Sequence, residues 1–100
     1  EKSGAAERVT VMVFSEFGRR VKENASLGTD HGCAAPMFLL SGKIKAGLQG
    51  SKPDLSNLDR GDLKFTIDFR QVYATLAEEV LRIDSKKLLG ASFDKLELFT

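Results

Sequence analysis

Asp30-His31 is the pair in this sequence best suited to chemistry, since a carboxylate oxygen and an imidazole nitrogen both ligate zinc and related divalent ions. Gly28 and Gly32 bracket the pair, leaving the main chain free to bend closely around an ion. Zinc takes about four ligands, about three of them from protein in a catalytic centre. The chain has one His and one Cys. A complete centre must therefore recruit carboxylates such as Glu16, together with ligands from polypeptide outside these residues. Glu16 is either a ligand or an acceptor that orients His31; otherwise it is an exposed carboxylate at a strand end. Arg19 is either solvated or a planar fork for a phosphate or sulfate oxyanion. Cys33 could ligate a soft metal, although a small buried side chain is the commoner role for such a residue.

These side chains depend on the elements around them. Arg8 to Phe14 is a β-branched apolar run, too short for a typical helix. Its near-continuous hydrophobicity predicts a strand covered on both faces, as in a parallel sheet between helix layers. Ser15, Glu16 and Arg19 follow its end, where open α/β sheets gather their binding groups. The polar, glycine-punctuated stretch Val21 to Gly32 predicts an irregular loop, and Ala35 to Leu40 a second strand. Lys43 to Gly50 suggests the start of a hairpin, and Ser51 to Gly61 a long surface loop.

Phe69, Val72, Tyr73, Leu76 and Val80 fall on one helical stripe, with Thr66 or Asp68 as N-cap. Glu78 and Glu79 oppose the helix dipole, so packing must hold that end. Ser85 to Leu89 predicts a further helical turn, capped by Ser85 and stopped by Gly90. Leu96 to Phe99 is a candidate terminal strand.

The 100 residues suffice for one small domain, treated as a single segment, and the net charge is +1 with cations scattered along the chain. Neither a nucleic-acid footprint nor a polybasic membrane patch is evident, and no apolar run approaches the roughly 20 residues of a membrane span. The lone Cys33 excludes an internal disulfide.

Several motifs, in order, resemble one family. They are Ser15-Glu16-Phe17-Gly18-Arg19, Gly28-Thr29-Asp30-His31-Gly32, Ala35-Pro36-Met37-Phe38, Gly61-Asp62-Leu63-Lys64-Phe65 and Asp68-Phe69-Arg70-Gln71-Val72-Tyr73-Ala74-Thr75. They resemble the C-terminal quarter of the domain of unknown function 1501 proteins, distant relatives of sulfatases and alkaline phosphatases. The resemblance implies an α/β fold: the C-terminal fragment of a three-layer sandwich with a largely parallel central sheet. It implies that Asp30 and His31 hold a divalent metal (zinc, manganese, calcium or magnesium). It also implies a periplasmic or otherwise exported setting. Cys33 stands where relatives commonly have Thr.

The expected function is that of a metal-dependent hydrolase acting on phosphate or sulfate esters, completed by the upstream part of its own chain. In that role Asp30, His31 and Glu16 bind metal and Arg19 steadies the oxyanion. The alternative is a non-catalytic exported binding or assembly protein that keeps the fold. Strands built for burial on both faces would also lead the isolated chain to self-associate.

Overall fold

The computed structural model of the protein describes residues 5–100. A 3-10 turn at Ala6–Arg8 leads to β1 (Thr10–Val13), β2 (Gly18–Glu23), β3 (Thr29–Gly32) and β4 (Phe38–Ser41). There follow β5 (Leu58–Asp59), β6 (Asp62–Leu63), α1 (Phe69–Glu79) and α2 (Ser85–Leu89). The strands pair two by two, β1 with β4, β2 with β3 and β5 with β6, and the last two pairs are antiparallel.

This overturns the expected α/β sandwich on a largely parallel sheet. Among the described residues no sheet exceeds two strands. Parallel strands need long crossover connections, usually helical. Here α1 and α2 follow all six strands instead of alternating with them. The expected burial on both faces fails with the sheet. In β1, half-buried Thr10 and Met12 alternate with exposed Val11 and Val13, and in β4 Phe38 and Leu40 are the exposed positions.

The chain divides into two compact units. One comprises Met12–Phe38 and Gln49–Thr66. Its β3 and the second half of β2, from Val21 onward, lie within the stretch expected to be loop. GRRVKE is too polar for a sheet core but well suited to an exposed hairpin. Asn24 closes that hairpin: its Oδ1 accepts from the Ser26 N–H (2.9 Å) and the Gly28 N–H (3.0 Å), while Leu27 adopts φ 65°. The predicted long loop ends in a second hairpin. Asp59 pairs with Asp62 across Arg60 (φ 50°) and Gly61 (φ 81°), the positive-φ pair of a type I′ turn, whose twist suits the flanking strands.

The other unit comprises, among the described residues, 5–11 together with Leu39–Leu48 and Ile67–Thr100. Its α1 is the helix the apolar stripe predicts. The Asp68 carboxylate accepts from the Arg70 N–H, and the Gln71 side chain accepts from the Asp68 N–H, so the capping box is complete. Its buried face carries Ala74, Thr75 and Ala77. At the other end Lys95 pairs with Glu79 at 3.2 Å and Glu78 at 3.7 Å, offsetting the dipole that the sequence left to packing. Asp84, one residue before the expected Ser85, caps α2, while Ser85 is buried and donates to Glu78. Gly90, at φ 80°, ends α2 as predicted. Lys43 to Gly50 does not pair with its own continuation. Instead Ile44 bridges Phe99, with Lys45 N–H donating to Leu98 O (2.7 Å) and Thr100 N–H to Lys43 O (2.9 Å).

The cap yields a first prediction. Hydrogen bonds from the Arg70 side chain and then its N–H hold Asp68 at about 2, below the ordinary 3.8. Because the folded value is depressed, the stabilisation is full above the ordinary value and disappears as pH falls through the folded one. Asp68→Ala is expected to lower stability by about 1 kcal/mol at neutral pH. The difference in melting temperature between the two chains should narrow in strong acid; a difference independent of pH would exclude the charged cap as its source.

Candidate functional site

β2 and β3 place Gly18 opposite Gly32, Arg19 opposite His31 and Glu23 opposite Thr29, with a register shift between Arg19 and Glu23. Directly opposed residues share a face of the sheet, so Arg19 and His31 face the same way. The imidazole stacks on Phe17, with ring centroids 3.5 Å apart and planes 15° apart. The Arg19 guanidinium lies 4.9 Å from the centre of the same Phe17 ring, and its Nη1 donates to Thr29 O at 2.7 Å. One aromatic ring thus seats two nitrogen-rich side chains. Both are exposed.

Asp30 does not join them. Successive residues of a strand point to opposite faces, and the Asp30 carboxylate accepts from Asn24 Nδ2 at 3.1 Å. Glu16 is exposed in the bend before β2. Among the described residues, no group of three or more His, Cys, Asp or Glu could hold a metal. The donors present therefore do not fit a metal centre on their own. What they form is a two-donor face suited to anionic oxygens.

Beside this face lies a second cluster. Asp62 is buried, and its Oδ2 accepts from the Cys33 N–H and the Cys33 Sγ, each at 3.1 Å. The Cys33 thiol hydrogen bond holds the Asp62 carboxyl below the usual range against the opposing effect of burial; the Cys33 N–H and the Arg20 guanidinium add to it. Reciprocally, the hydrogen bond to Asp62 pushes the Cys33 thiol up, so Cys33 is held as a neutral donor. The residue itself is exposed, not the small buried side chain expected. Arg20 reaches the β5–β6 turn and donates to Arg60 O.

Phe17, Asn24 and Asp62 were not candidates from sequence. Phe17 and Arg19 stand at strand spacing, which was the available signal for Phe17. For Asp62 it was the turn-forming Arg60-Gly61 just before it.

The class this arrangement defines is a pair of small β-hairpins presenting an Arg–His face, with a two-helix unit carried on the same chain. The chain belongs to the family described as protein of unknown function (DUF1501), whose model matches residues 1–96. No curated protein and no solved structure matches it. Among the described residues no helix is long and apolar enough to cross a membrane.

Proposed function

We propose that the chain is part of an exported sulfatase- or phosphatase-like hydrolase and that its β2–β3 hairpin meets the anionic oxygens of a phosphate or sulfate ester. The observation that carries this reading is the Arg19–His31 pair on one exposed face, both side chains seated on Phe17. With Nη1 committed to Thr29 O, the guanidinium still has N–H donors to offer. The imidazole stacked on Phe17 is exposed at the opposite position of the same rung. Such preorganised donors favour charge developing on ester oxygens, because little reorganisation is needed when it appears. Within this proposal, His31 is also the ligand the hairpin offers a divalent ion whose remaining ligands lie outside the described residues.

Titration with inorganic sulfate and phosphate, followed through the ring resonances of the chain's one histidine, tests the oxyanion face. A charge-assisted hydrogen bond is worth about 1.5–3 kcal/mol, so Arg19→Ala should weaken anion binding at least about tenfold. Equal affinity in wild type and variant would remove Arg19 from the proposal. A second reading, a non-catalytic binding or assembly protein, draws on the exposed Val13, Phe14 and Phe38 of the hairpin unit. Turnover of aryl phosphate or sulfate esters by the intact protein, lost on chelation, would eliminate it.

A further inference from the structure

The Arg19–His31 rung stands where the β2–β3 ladder is least supported by its own continuation. The register shift begins immediately beyond it, between Arg19 and Glu23. Hydrogen bonds along an unbroken ladder would fix the pairing, but a shifted ladder leaves one end of the rung without that support. On the other side, Gly32 and Cys33 meet Asp62 of β6. A methyl group on Gly32 would come within 2.7 Å of Asp62 Oδ1 and 2.8 Å of the Arg19 carbonyl carbon. Asp62 therefore packs against the residue beside His31, at the level where β3 crosses Arg19.

Its hydrogen bonding has the same focus. Oδ2 takes both the main-chain N–H and the thiol of Cys33, while Oδ1 is buried without a partner. A carboxylate oxygen left unpaired in a buried position is costly. A carboxylate at this position gives an acceptor that can bind the Cys33 N–H and the thiol together, with room for its second oxygen only because residue 32 lacks a side chain. Arg20 holds the same β5–β6 hairpin through Arg60 O, so Asp62 is delivered from a tethered element.

We infer that Asp62 is a positioning residue: by fastening Gly32-Cys33 it keeps His31 opposite Arg19 and stacked on Phe17. Its bearing on ester binding rests on the function proposed above, whereas its effect on the His31–Phe17 stack does not.

The test reads the stack directly. A ring held 3.5 Å above another is shifted upfield by the neighbour's ring current, and the chain's one histidine makes the signal assignable. In Asp62→Ala the upfield shift of the His31 ring protons should be lost, while the Ser26 and Gly28 amides bound to Asn24 keep their wild-type positions. Asp62→Asn retains an oxygen acceptor for the Cys33 N–H and should retain most of the His31 shift. Cys33→Ala keeps the N–H and should do the same. An unchanged His31 signal in Asp62→Ala would overturn the inference. So would collapse of the Asn24 turn in that variant, or loss of the His31 shift in Asp62→Asn. If Asp62 behaves as stated but sulfate and phosphate leave His31 unmoved in wild type, the proposed function fails and the positioning role stands.

Discussion

Gly18→Ala is expected to destabilise the hairpin unit by about 3 kcal/mol and to displace Phe17 and Arg19 from their places beside His31. A methyl group at residue 18 would stand 1.7 Å from Ala34 O, 2.5 Å from Ala34 C and 3.1 Å from Ala34 N. Overpacking generally costs about 1–3 kcal/mol, and the upper end applies when the obstacle cannot rotate away. Here every close atom is main chain, so relief requires β2 to move away from the segment following β3. Gly18 is also opposite Gly32, so that movement disturbs the pairing that aligns Arg19 with His31.

Gly28 supplies the internal control. A methyl group there would meet only Asn24 Oδ1, at 3.9 Å, and Gly28→Ala should change stability by less than about 0.5 kcal/mol. Urea denaturation of the two variants, with the His31 ring signal as a local probe, measures both effects. A Gly18→Ala chain as stable as Gly28→Ala would mean that the close approach of residues 18 and 34 is not kept in solution.

The parts legible in the sequence were those written in local signals. The α1 helix, its Asp68 cap and the Gly90 stop each rest on residues within a few positions of one another and form as the sequence indicates. The buried positions of α1, however, are Ala74, Thr75 and Ala77, and Phe69 of the expected stripe is exposed. The β2–β3 hairpin was missed because its strands are polar and its closing signal is the Asn24 side chain rather than a familiar two-residue turn. The fold class failed for a related reason. A short apolar run such as that around β1 gives strand tendency but not the number of partners, and continuous hydrophobicity suggested cover that the described chain does not supply.

The candidate site shows the same limit at the level of single side chains. Asp30 and His31 are neighbours in sequence, which suggested one ion gripped by both. Once they form a strand, the backbone sends them to opposite faces, one to Asn24 and the other to Phe17. The partners that matter to His31 are set by register, through Arg19, and by a second hairpin, through Asp62. Neither relation is local, so neither could be read from spacing. Arg19 itself was singled out by residue type, as either a solvated side chain or a fork for an oxyanion. The structure adds its company on the ring.

In the helical unit the largest single loss is expected from Thr75→Val. Thr75 is fully buried, and its hydroxyl does two things: it donates to Gln71 O at 2.7 Å and accepts from the Leu96 N–H at 2.8 Å. Valine closely matches threonine in shape and adds apolar volume, so a packing argument alone would make the change neutral or favourable. The hydrogen-bond argument has the opposite sign. Gln71 O retains the acceptor role of a helix carbonyl, but the part-buried Leu96 N–H loses its partner, at a cost of about 1–3 kcal/mol. Thr75→Ser reverses the trade, keeping the hydroxyl and losing one buried methyl, worth roughly 0.8 kcal/mol. Chemical denaturation should therefore rank wild type above Ser and Ser above Val. Hydrogen exchange at the Leu96 amide should accelerate only in Val. If Val proves at least as stable as Ser, packing around Thr75 outweighs its hydroxyl, and the tie between α1 and the segment leading to Leu98 is apolar rather than polar.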